Sequence, residues 1–188
     1  MNISHVKVYD LKESVIACRY AMKITLPEYT DEEFGKSLER AKKLCKAGSP
    51  HCNFRTGIRV SFDIEYPNYI SPEMQRYHWW DIVTSSSKMH RLTKMDFDSC
   101  CNKYVTAQTK ELMKSLVQIY NEDPTENNFM RLLSNCPQGI MLFKRVSTNY
   151  EQLATIYRQR KNHRLPEWRE LCEWIETLPY SKELIICE

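Results

Sequence analysis

The chain has 188 residues, 27 basic against 24 acidic side chains and a formal net charge of +3. So small an excess, interleaved with acids along the sequence, argues against a nucleic-acid partner, which selects a concentrated basic face. At 42% hydrophobic and 27% charged residues the composition is globular; no run of about 18 apolar residues exists to cross a membrane, and the N-terminus lacks the apolar core of a secretory signal.

A cytoplasmic chain folded as one domain, 1–188, is therefore expected. Val6–Tyr9 is a short apolar alternation that suits a strand, and Ser14–Met22 carries Val15, Cys18 and Met22 at helical spacing. Thr30-Asp31-Glu32-Glu33 is a capping box, and the helix after it presents Phe34, Leu38, Ala41 and Cys45 before stopping at Gly48. Ser49-Pro50-His51 is a turn. From Arg55 to Tyr66, Ile58, Val60, Phe62 and Ile64 alternate with polar neighbours, which predicts a half-buried strand.

Ser71-Pro72-Glu73 predicts a further helix start, with Ser71 as N-cap and Pro72 at the first position, leading into Met74, Tyr77, His78, Trp79 and Trp80. Thr84 to Ser87 reads as a hydroxyl-rich break before Lys88, His90 and Arg91. Helices are expected over Tyr104–Tyr120 and Glu126–Leu133, separated by Asp123-Pro124. Ile140–Val146 is a second strand feeding a helix, and after Pro166 a last helix buries Trp168, Leu171, Cys172, Ile175 and Leu178. The class is α+β, a small antiparallel or mixed sheet packed by several helices. The eight cysteines form no Cys-x-x-Cys pair and read as reduced, mostly buried small residues, so no metal site is expected.

One stretch combines features that do not belong together. Between Arg145 and Trp168, Asn149, Leu153, Ile156, Arg160 and His163 follow at i, i+4, i+7, i+11 and i+14, within an arc of roughly 80° on a helix. An arginine on an apolar stripe is costly unless an anion meets it, and that anion is either an internal carboxylate or a ligand. Taken singly, Asn149 as a cap, Arg160 in an ion pair and His163 at the last turn are ordinary; their coincidence, with Arg158 and Arg164 close by, points to an anion pocket. A second candidate runs from Gln75 to Arg91. Its tryptophans read as core, or as a stacking face for a flavin or a base, and its serines and cations suit a phosphate. The chain has four glycines, none paired, and so no glycine-rich nucleotide loop.

The order Asn149, Arg158-Gln159-Arg160, His163 and Trp168-Arg169-Glu170-Leu171 resembles the C-terminal half of the flavin-dependent thymidylate synthases. Gly48-Ser49-Pro50 before a strand of alternating Phe and Ile, then a helix with Gln75, extends the likeness over most of the chain. The family's Arg-His-Arg triplet is replaced by His78-Trp79-Trp80, its Ser-x-Arg-Tyr element falls at Ser87 to Arg91, and its histidine after the Ser-Pro turn is Asn53. The resemblance implies a homotetramer with active sites between subunits, which methylates or otherwise modifies C5 of dUMP using reduced FAD and methylenetetrahydrofolate. It implies that Arg160, the catalytic candidate, grips the pyrimidine nucleotide together with Gln75, Ser87, Arg91 and Arg131. His78, Trp79, Asn149, Thr155 and His163 would stand at the flavin. A relative that kept the nucleotide pocket but not the redox chemistry, and a protein-binding role for Trp79 and Trp80, are the alternatives.

Overall fold

The alternation in the fifties and sixties builds the centre of the molecule. In the computed structural model, which describes residues 1–187, strand β2 (Arg59–Pro67) buries Val60, Phe62, Ile64 and Tyr66 on one face and leaves Arg59, Ser61, Asp63 and Glu65 half-covered on the other. It lies between β1 (Asn2–Tyr9) and β4 (Met141–Asn149), with β3 (Asp81–Ser85) on the far side of β4. All three pairings are antiparallel, with Phe62 opposite Val146 and Ile82 also opposite Val146. Period-two burial is what an antiparallel sheet with one covered face requires.

Helices cover that face. After β1 come α1 (Leu11–Ala17) and α2 (Asp31–Ala47). Thr30 caps α2 by accepting from Glu33 N at 3.2 Å, and Gly48 ends it at φ 77°, a conformation that glycine reaches without Cβ strain. One-turn helices α3 (Ser71–Met74) and α4 (Lys88–Arg91) flank β3, and α5 (Ala107–Glu122) packs with α6 (Glu126–Ser134). β4 runs directly into α7 (Tyr150–Arg160), followed by α8 (Pro166–Glu176) and a π-helical turn at Lys182–Ile186. The main core joins the sheet to α7 and α8 around Phe62, Tyr66, Tyr150, Ile156 and Trp168. A smaller cluster of Leu92, Phe97, Met113, Leu116, Leu132 and Ile140 holds α5 and α6.

Four expectations are corrected. The strand begins at Arg59, because Asn53–Thr56 forms a 3-10 turn that directs Arg55 inward. Ser71 is the first residue of α3 and makes no capping bond; its hydroxyl accepts from Lys144 instead, and the helix ends at Met74 before the aromatic residues. Thr84 and Ser85 are strand residues paired with Arg145 and Lys144, since cross-strand bonds outweigh their loop-like composition. Ser14–Met22 is not one helix: α1 stops at Ala17 and a 3-10 turn follows at Tyr20–Met22. The eight cysteines are free thiols, of which Cys45, Cys52 and Cys172 are buried and five are partly covered.

Candidate functional site

Helix α7 starts where the sequence places a cap. Asn149 Oδ1 accepts from Gln152 N at 2.9 Å, and with only 1% exposure the amide is fully inside. Leu153 and Ile156 are buried on the same stripe, which brings Arg160 out at the last turn, beside α3 and α8. Arg160 Nη1 pairs with Glu73 Oε2 at 3.1 Å and its Nε donates to Tyr77 Oη at 2.8 Å. Its guanidinium carbon lies 4.5 Å from the ring centroid of Trp168 and 5.8 Å from that of Tyr77. Glu73 Oε2 also accepts from Trp168 Nε1 at 3.0 Å. Within the protomer, the anion that meets Arg160 is thus an internal carboxylate.

That arrangement leaves reach for a ligand. Nε and Nη1 are engaged, whereas the Nη2 end of the fork has no hydrogen-bond or ion-pair partner among the described residues, and side-chain exposures of 20% for Arg160 and 30% for Glu73 open the pair to solvent. Two aromatic faces hold the guanidinium plane still, worth about 1 kcal/mol each for such cation–π contacts. His163 stands next to this cluster. Its ring meets Trp168 edge-on at 6.3 Å between centroids, and its Nδ1 accepts from Leu165 N at 3.3 Å.

The other expected residues fall into separate places. Gln75 lies exposed between Glu73 and Tyr77, so it belongs to the Arg160 cluster by position. His78 and Trp79 are exposed and stacked edge-on at 5.1 Å. The Trp79 backbone docks on the sheet and on the first turn of α7, through Thr148 Oγ1 at 2.6 Å and Gln152 Oε1 at 3.1 Å. Trp80 is core, 5% exposed and edge-on to Phe62, which removes it from any protein interface. Thr155 is half-buried on α7. Ser87 precedes α4 without capping it, and Arg91 lies 5.1 Å over the ring of Phe143, on the sheet face that helices leave open. Arg131 is exposed on α6. No hydrogen bond, ion pair or ring contact among the described residues joins Ser87, Arg91 or Arg131 to Arg160.

The sequence reading missed three groups. Glu73 and Tyr77, the partners of Arg160, flank Gln75. Arg55 is buried with Glu151, at 2.6 Å from Nη2 and 2.7 Å from Nε, and also donates to Leu184 O and the thiol of Cys52. Lys144 is 6% exposed on the covered face of β4, with its ammonium 2.8 Å from Ser71 Oγ. The alternation of Leu142, Lys144 and Val146 is the signal that could have placed it inward. A cavity of about 350 Å³ lies away from Arg160, on another face of α7 between Ala154, Arg158, Lys161, Lys46, Arg55 and Cys187.

These elements in this order have the fold of the flavin-dependent thymidylate synthases. Superposition on the flavin-dependent thymidylate synthase ThyX from Helicobacter pylori, a crystal structure complexed with FAD and dUMP, gives a TM-score of 0.78 at 15% identity and covers 100% of this chain and 99% of that one. A second crystal structure of that enzyme with FAD and dUMP, at 2.31 Å resolution, gives 0.74 at 14% identity, again covering 100% and 99%. The UMP/dUMP methylase PolB from Streptomyces cacaoi, bound with 5-Br dUMP, gives 0.66 at 14% identity over 99% of this chain and 92% of that one. No protein-family model and no curated protein sequence matches the chain. No helix among the described residues is long and apolar enough to cross a membrane.

Proposed function

We propose that the chain binds a pyrimidine mononucleotide of the dUMP or UMP class at the Arg160 cluster. The observation that carries this is a guanidinium clamped between Trp168 and Tyr77 with one end of its fork free, in a fold whose solved examples hold dUMP. Arg160 offers paired donors to a nucleotide oxygen, Tyr77 and Trp168 fix its plane, and His163 and Gln75 border the same opening. Ser87, Arg91 and Arg131 are read as reaching this site from another copy of the chain, in a site shared between protomers of a homotetramer. Such sharing is supported by their lack of contact with Arg160 within one chain.

FAD fits the expected positions poorly. Among His78, Trp79, Asn149, Thr155 and His163 there is no permanent cation for a flavin diphosphate, and Asn149 is buried as a helix cap. The triplet that would supply arginines supplies Trp80 to the core instead. Nucleotide binding therefore stands ahead of flavin-dependent catalysis with methylenetetrahydrofolate, and no step is assigned to the flavin. The synthase reading, a transfer to C5 of dUMP, is favoured by the match over the whole chain to structures complexed with FAD and dUMP.

Thermal-shift titration separates the two. Stabilisation by dUMP or UMP, absent in Arg160→Met and independent of FAD, is the expected result. Stabilisation by FAD, a flavin absorption spectrum in the purified protein and dUMP-dependent release of tritium from C5 would establish the synthase instead. A protein that responds to neither ligand class would sink both readings.

A further inference from the structure

The cavity of about 350 Å³ between α7, the end of α2 and the C-terminal turn gathers charge of one sign. Lys46 from the last turn of α2, Arg158 from the last turn of α7 and Lys161 at the end of α7 stand exposed around it. No Asp or Glu among the described residues lines it, and none forms an ion pair with these three cations. Deeper in, Arg55 is matched by Glu151 at 2.6 Å, so its charge is met while theirs is not. Cations that converge on one opening raise the local concentration of anions there. The volume falls at the lower end of the range for small-molecule sites, about 300–1,000 Å³.

Behind the cations the wall is apolar, made by Ala154, Ile185 and Ile186, and it ends on two sulfurs. Cys187 is partly buried, and its sulfur accepts from Arg55 Nη1 at 3.6 Å. The buried Cys45 thiol is in contact with it. That contact and the charge of Arg55 hold Cys187 below the ordinary thiol range, which favours the nucleophilic thiolate. A charged mouth, a short apolar wall and a nucleophilic sulfur at the back suit a molecule with the same three parts in reverse. It carries an acid group, a short carbon chain and an electrophilic sulfur.

We propose that this cavity binds small disulfides that bear carboxylates, and that Cys187 exchanges with them to form a mixed disulfide. The Cys187 sulfur forms the new S–S bond, the S–S bond of the small disulfide breaks, and the departing thiolate takes up the proton that Cys187 released. The protein thiol is oxidised and the small disulfide is reduced, with no further electron donor or acceptor. No residue of the Arg160 cluster takes part, so the outcome is independent of nucleotide binding there.

The test is the rate of adduct formation at Cys187 in the full chain, followed by peptide mass spectrometry with three disulfides of similar size. These are the dianionic dithiodipropionate, the neutral hydroxyethyl disulfide and the dicationic cystamine. Dithiodipropionate is expected to react about tenfold faster with wild type than with the double variant Arg158→Gln, Lys161→Gln, as loss of electrostatic steering requires. Hydroxyethyl disulfide should react equally with both, and cystamine faster with the variant. Both replaced side chains are exposed, so the core is untouched; Lys46→Gln, on a different helix, should give a smaller loss of the same sign. Adipate, a dicarboxylate without sulfur, should slow the reaction of dithiodipropionate with wild type but not with the double variant, which reads binding apart from exchange. Equal changes with all three reagents, no protection by adipate, or no adduct at Cys187 would overturn the proposal.

Discussion

Two arginines pair with glutamates at opposite ends of the same helix, and they are built for different work. Arg55 meets Glu151 in the first turn of α7, with side-chain exposures of 6% and 19%; Arg160 in the last turn meets Glu73 at 20% and 30%. Arg55 is saturated: Nε and Nη2 go to Glu151, Nη1 to Leu184 O, and the thiols of Cys52 and Cys187 take what remains. Arg160 keeps an end of its fork free among the described residues and is held by Glu73, Tyr77 and two aromatic faces. Full satisfaction makes a brace between the 53–56 turn, α7 and the C-terminal turn. Partial satisfaction leaves a guanidinium that can take a ligand without first breaking its own scaffold.

If that contrast holds, the largest effect follows from Arg55→Met. It leaves Glu151 without its cation, and breaking one side of a buried pair typically costs about 3–5 kcal/mol. Urea unfolding should show the loss as a lower midpoint with little change in slope. Arg160→Met should cost about 1–2 kcal/mol, the scale of an accessible ion pair with cation–π support, and should abolish the dUMP thermal shift. Equal destabilisation by the two substitutions would erase the distinction and make Arg160 a structural brace as well.

The contrast also explains what could be read from the sequence. The α+β class, the Thr30 cap, the Gly48 stop and the buried face of α8 follow from local rules of capping and periodicity, and the structure bears them out. The position of Arg160 on its stripe was legible for the same reason. Its partner was not, because Glu73 is 87 positions away and comes close only through packing of α3 against α8. Arg55 was hidden by a plausible strand pattern that the 3-10 turn interrupts. Strand β3 was hidden by serines and threonine, whose loop preference yields when a neighbour such as β4 offers cross-strand pairing on both sides of an irregularity between Ile82 and Thr84. Lys144 escaped because mid-strand lysines ordinarily face water.

A smaller effect tests whether the start of α7 acts independently of its end. Asn149→Ala removes the bond to Gln152 N and should cost about 1 kcal/mol, the usual worth of an N-cap. Because the loss falls in the turn that holds Glu151, nucleotide binding at Arg160 should keep its affinity. A matching loss of dUMP affinity would show that the two ends of the helix are coupled.

The finest probe needs no change in stability. Cys187 packs partly buried against the main core, and its thiol is held down to about 6 by its interaction with the Cys45 thiol and by the charge of Arg55, against the opposing effect of burial. A folded pKa below the ordinary value of 9.0 means that thiolate predominates above about pH 6. Iodoacetamide labelling, read by peptide mass spectrometry, should then rise through pH 6 and level off before pH 8 at Cys187. Cys100 and Cys172, pushed up to about 12 by burial, should stay unlabelled over that range. Arg55→Gln should move the Cys187 profile to higher pH, since it removes a cation from the thiolate, whereas Arg160→Met should leave it in place. A profile that ignores Arg55 would mean that Cys45 alone sets the thiolate, and the brace would end at Glu151 and Leu184.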